Sequence, residues 1–130
     1  MVEIIQPSHW RRPKGYSNGV IAEGKHIYLA GQIGWNEDQQ FEHFDFKGQF
    51  EQILKNIATL LQEANARPEH IVRMTWYVTN MDDYRSAAQE IGPAYRDIMG
   101  KHFPAMSVIG VSELVEKDAL LEIEVTAVLP

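Results

Sequence analysis

Between Phe46 and Ala64 the apolar residues Phe46, Phe50, Ile53, Leu54, Ile57, Leu60, Leu61 and Ala64 recur every three or four positions. That spacing draws one apolar stripe along about five turns of α-helix, and such a stripe must be buried against another layer. Asp45 stands where its side chain can cap the first free N–H groups. Asn65 can take the left-handed conformation that closes a helix, and Pro68 bars continuation. Directly downstream the period changes to two: Val72, Met74, Trp76 and Val78 alternate with Arg73, Thr75, Tyr77 and Thr79. The chain therefore builds a layer of helices on a sheet. Both rows of this strand carry large residues, which predicts a central strand covered by helices on one face and by something else on the other.

The remaining elements follow from punctuation and period. Residues 6 to 16 hold Pro7, Pro13 and Gly15 and read as an ordered loop. Ser17 to Glu23 and Lys25 to Ile33 read as a hairpin of two strands around Gly24. Gly31 interrupts the second strand, which marks a bulge or a place where another group approaches the backbone. A second helix starts at an Asn80 cap and carries Tyr84, Ala87, Ala88, Ile91, Tyr95, Ile98 and Met99 on its apolar row. Gly92-Pro93 should kink or split it, because proline lacks the N–H and crowds the preceding turn. Pro104 opens a strand to about Val111, and the last strand runs from about Ala119 to Val128. The order is β-β-α-β-α-β-β in a single domain spanning residues 1–130, an α+β sheet with both helices on one face. Met74, Trp76 and their neighbours exceed what two helices can cover, so oligomerisation through the sheet is expected.

Composition removes several classes of function. The chain has no cysteine, which excludes thiol catalysis, cysteine-ligated zinc and disulfides, and agrees with a reducing cytoplasm. Eighteen acidic against twelve basic residues leave a net charge of −6, a surface that repels phosphate backbones, so no nucleic-acid partner is expected. No apolar run reaches the roughly 18 residues of a membrane span. The histidines His9, His26, His43, His70 and His102 are scattered without metal-ligand spacing, so no metal is expected. No Gly-rich phosphate loop and no Gly-x-Ser-x-Gly elbow occurs.

Several separated pieces, in order, resemble the Rid (YjgF) family of imine and enamine deaminases: Gly15 to Val20, Leu29-Ala30-Gly31-Gln32-Ile33, Gln49 to Asn65, Val72 to Tyr84, Phe103-Pro104-Ala105 and Glu122-Ile123-Glu124. The resemblance implies a chorismate-mutase-like subunit and a homotrimeric barrel of sheets with small-molecule clefts between subunits. It also implies hydrolysis of imines or enamines of 2-oxo acids without a cofactor. Carried over residue by residue, Glu122 would hold the attacking water and Tyr16 would orient substrate or water. A carboxylate beside water can accept its proton as it adds to an iminium carbon. Gly31, Gln32, Met106, Ser107 and Gly92 would line the cleft.

Two positions depart from the pattern. Met106 stands where the family arginine forks onto a substrate carboxylate, and Gly92 where many members carry asparagine. A thioether replaces a planar cation, which argues against simple 2-imino acids and for a ligand with an apolar portion. Any anion would then fall to Arg12, Lys14 or His102. The expected function is a deaminase of a larger enamine or imine; the alternative is a trimeric metabolite-binding protein without turnover.

Overall fold

The computed structural model describes residues 2–130. Strands β1 (Val2–Ile5), β2 (Gly19–Ala22) and β3 (Lys25–Ile33) precede helix α1 (Phe46–Glu63), and a 3-10 turn at Pro68–His70 leads into β4 (Ile71–Val78). Helix α2 (Met81–Met99) and strands β5 (Ala105–Gly110) and β6 (Leu121–Leu129) complete the domain. From β2 onward the order is the expected β-β-α-β-α-β-β, and β1 is an added strand at the front.

Pairing differs from the hairpin expected around Gly24. The main sheet runs β3-β6-β4-β5, and β1 with β2 forms a separate antiparallel ribbon. At Gly24 the chain leaves one sheet for the other. Its φ is +145° and a Cβ there would lie 2.3 Å from the Leu129 carbonyl oxygen, so β3 is steered onto β6 instead of folding back on β2. The last strand inserts between β3 and β4, antiparallel to both. Its inward row Leu121, Ile123, Val125 and Ala127 is wholly buried, which suits a central position. β5 joins the far edge parallel to β4 through the α2 crossover.

Both helices lie over the face formed by Met74, Trp76 and Val78. Asp45 caps α1 by accepting from the Gly48 N–H, and Asn65 closes it at φ 58°. The α1 stripe is buried as its spacing demands, except that Leu60 sits at the rim, 37% exposed. Phe50 meets Trp76 at a centroid distance of 5.0 Å, and Tyr84 of α2 meets the same indole edge-on at 5.8 Å. Met74 and Trp76, 0% and 2% exposed, thus do fit under the two helices, contrary to the crowding expected from sequence. The face left open is the other row, Arg73, Thr75 and Tyr77, together with Tyr28 at 73% exposure. Helix α2 passes through Pro93 unsplit: Ile91, Ala94 and Tyr95 are buried on either side, and the proline itself faces solvent. No helix among the described residues is long and apolar enough to cross a membrane.

Candidate functional site

The ladder of β3 on β6 slips between Leu29 and Gln32, so Ala30 and Gly31 together oppose Glu124 alone. This bulge crowds the glycine against the next outward side chain of β6. A Cβ on Gly31 would lie 2.0 Å from Glu122 Oε2 and 2.6 Å from its Cδ. The Glu122 carboxylate therefore rests on bare backbone, a position open only because residue 31 has no side chain. Glu122 is half-buried and makes no side-chain hydrogen bond among the described residues. Its neighbour Glu124 accepts the Tyr77 hydroxyl at 2.7 Å. That hydrogen bond holds the Tyr77 phenol above its ordinary range, with desolvation and the negative charges of Glu124 and Glu122 acting the same way. Glu124 is engaged, which leaves Glu122 as the free carboxylate of the pair.

A second device fixes the N-terminal loop on β5. The Ser17 N–H donates to the Pro104 carbonyl at 2.9 Å, its hydroxyl donates to the Phe103 carbonyl, and Ser17 bridges to Ala105 in parallel register. The preceding segment is held in turn by Tyr95, whose hydroxyl donates to the His102 carbonyl at 2.9 Å and whose ring stacks on Phe103. Burial pushes the Tyr95 phenol well above its usual value. The result is a cleft of ≈ 400 Å³ whose lining includes Tyr16, Asn18, Arg73, Thr75, Met106 and Ser107.

Six of the expected site residues thus fall into two groups within one chain. Glu122 and Gly31 belong to the bulge, with Gln32 beside them, half-buried and donating its amide to the Ala30 carbonyl at 3.1 Å. Tyr16, Met106 and Ser107 belong to the cleft. Met106 is in register with Met74 and packs against the core, whereas Glu122 is in register with Tyr77 on the open face. Two strand spacings and a three-residue offset put their backbones roughly 14 Å apart. Gly92 lies on α2 with the Arg96 guanidinium 3.6 Å from where its Cβ would be, so Arg96 occupies the space above it. Arg12 and Lys14 are exposed on the loop and do not line the cleft. His102 faces a different cleft of ≈ 480 Å³, with Lys101, His70 and Val2.

Sequence reasoning missed Arg73, the one cation lining the cleft beside β5. Its signal was present: it stands on the outward row of β4, and Pro104-Ala105 brings the neighbouring strand alongside. Among the described residues no group of three or more histidine, aspartate or glutamate side chains is arranged to hold a metal ion.

The sequence profile of the family described as Endoribonuclease L-PSP matches residues 10–129. A RutC family protein of Aquifex aeolicus is 34% identical over 113 residues, covering 87% of each chain. A 2-iminobutanoate/2-iminopropanoate deaminase of Dermatophagoides farinae is 28% identical over 123 residues, 91% of this chain and 89% of that one. The crystal structure of a Rid family protein of unknown function, YyfB from Yersinia pestis, matches with a TM-score of 0.84 and 32% identity, covering 98% of both chains.

Proposed function

The chain belongs to the Rid (YjgF) family, and on that premise we propose that it is a cofactor-independent deaminase that hydrolyses a reactive enamine or imine with an apolar portion. The observation that carries this reading is the Glu122 carboxylate lying over Gly31 with no hydrogen-bond partner of its own among the described residues. An enamine takes a proton on carbon to become an iminium. Water then adds to the iminium carbon while Glu122 accepts its proton; Glu122 returns this proton to the nitrogen and takes up the proton of the new hydroxyl as the C–N bond breaks and the C=O bond forms. Ammonia leaves and the carbonyl compound remains. Each step balances without metal or redox cofactor.

The wide separation of Glu122 from Tyr16 and Met106 within one chain favours a site completed by a neighbouring subunit, as in the trimer that the family resemblance implies. Glu122 and Gly31 of one copy would then face Tyr16 and Ser107 of the next. The net charge of −6 weighs against an RNA substrate, despite the family's description as an endoribonuclease. Met106, half-buried against the core, supports an apolar contact rather than an ionic one.

The test is ammonia release from a panel of enzymatically generated imines and enamines, small and large. Acceleration is expected for at least one larger member, and Glu122→Gln should lower it by about 10²- to 10⁴-fold. Absence of acceleration across the panel would leave the protein a metabolite binder.

A further inference from the structure

The cleft beside β5 is lined by Arg73 and by no acidic residue, in a chain whose acids outnumber its bases by eighteen to twelve. Arg73 is in register with Ala105 on β5 and Thr126 on β6. Among the described residues its guanidinium makes no hydrogen bond, and the ion pairs formed elsewhere are Arg67 with Glu69 and Arg85 with Asp82. Glu124, diagonal to it on the same face, is taken up by Tyr77. The next outward pair along the two strands is Thr75 with Ser107, which sets two hydroxyls beside the guanidinium. Tyr16 closes the cleft with a third, while Ile109, on the same outward row, supplies apolar lining.

A free, permanently charged fork flanked by neutral hydroxyls is a carboxylate site. We propose that Arg73 binds the carboxylate of the substrate, so that the protein acts on an enamine or imine acid whose charged end sits over β4 and whose apolar part lies against Ile109, which shares the outward row. The cation stands one strand in from β5, in register with Ala105, and on the opposite face of the sheet from Met106. A ligand anchored this way needs a longer or bulkier body between its carboxylate and its reactive carbon than the smallest 2-imino acids have. The inference rests on the deaminase reading for the reactive end of the molecule, and on the cleft alone for the anionic end.

Calorimetric titration with stable 2-oxo acids tests it, using phenylpyruvate, 2-oxobutanoate and the methyl ester of phenylpyruvate as probes. The native protein is expected to bind phenylpyruvate more tightly than 2-oxobutanoate and than the ester. Arg73→Gln should weaken phenylpyruvate binding by about ten- to a hundredfold while barely changing the ester, and Arg73→Lys should fall between. Equal binding of phenylpyruvate by native and Arg73→Gln protein overturns the assignment, as does failure of the native protein to prefer the acid over its ester. Size-exclusion chromatography accompanies each titration. If Arg73→Gln alters assembly, Arg73→Lys decides: native-like affinity in that variant refutes the need for a fork. Ammonia release separates the two readings. Acid binding through Arg73 with no turnover sinks the deaminase and keeps the anion site; turnover untouched by Arg73→Gln, with acid binding also untouched, does the reverse.

Discussion

Replacing Gly31 by alanine places one methyl group where Glu122 now lies. The new Cβ would sit 2.0 Å from Oε2, 2.6 Å from Cδ and 2.9 Å from Cγ of Glu122, whereas ordinary contact begins near 3.4 Å. The carboxylate must retreat by about 1.4 Å, and because Cγ is also too close the whole side chain beyond Cβ must turn. Gly31 is not among the glycines with positive φ, so alanine can adopt its backbone conformation without strain. The displaced side chain is at the surface end of a flexible residue, and a poorer rotamer costs about 0.5–1.5 kcal/mol. Removing a glycine from the unfolded chain returns about 0.4–1 kcal/mol. The net change in stability should stay within about 1 kcal/mol, a shift in Tm of no more than about 5 °C. Catalysis should suffer far more, because a displacement of about 1 Å in a reacting group costs on the order of a hundredfold. Calorimetric melting and ammonia release on the same preparation, with Glu122→Gln alongside, measure both. Gly31→Ala should approach Glu122→Gln in activity and native protein in Tm. Full activity in Gly31→Ala would refute the argument that the bulge exists to seat this carboxylate; a Tm loss above about 10 °C would show that the glycine serves packing instead.

Other substitutions probe what holds the site in place. Gln49 is 0% exposed and donates to the His43 and Asp118 carbonyls at 3.1 and 2.8 Å while accepting from the Leu120 N–H at 2.8 Å. Gln49→Ala orphans three backbone groups and leaves a void, so it should cost about 3–5 kcal/mol in urea unfolding, and a loss below about 1 kcal/mol would mean that water replaces the side chain freely. Tyr95→Phe removes the bond to the His102 carbonyl and should cost about 1 kcal/mol near neutrality. Since burial raises the folded phenol, its contribution is complete below the ordinary value of 10.0 and is lost as pH climbs above it. The native protein should therefore lose stability from about pH 9 to about pH 11 more steeply than Tyr95→Phe, and parallel curves would contradict the burial argument.

What the sequence made legible was whatever depends on near neighbours. The α1 stripe, the Asp45 cap and the left-handed Asn65 all follow from local geometry and appear as read. Gly31 could be read as a bulge or close approach, with a glycine tolerated for packing the alternative, and the structure contains both a bulge and a close approach. Strand pairing was not legible. Nothing within residues 17–33 reveals that β6, nearly a hundred residues downstream, competes for β3 more successfully than β2 does. β1 escaped because Val2–Ile5 is too short to establish a period. The facing of Met106 was not legible for a related reason: it depends on register with Met74, which only the α2 crossover sets. Arg73 resembled any charged residue on a solvated strand face until β5 and the Ser17 loop set a cleft beside it.

The central position of β6 also governs how the protein comes into being. β3 and β4 have no hydrogen bonds to each other and meet only through β6, which follows the other described strands in the chain. Until Leu121–Leu129 has left the ribosome, the growing chain can form its helices and the β4-α2-β5 crossover but not the sheet that joins them to the bulge. Such pairing between distant segments is slow and leaves apolar edges uncovered meanwhile. The seat for the Glu122 carboxylate thus cannot exist before the strand that carries this residue closes the sheet.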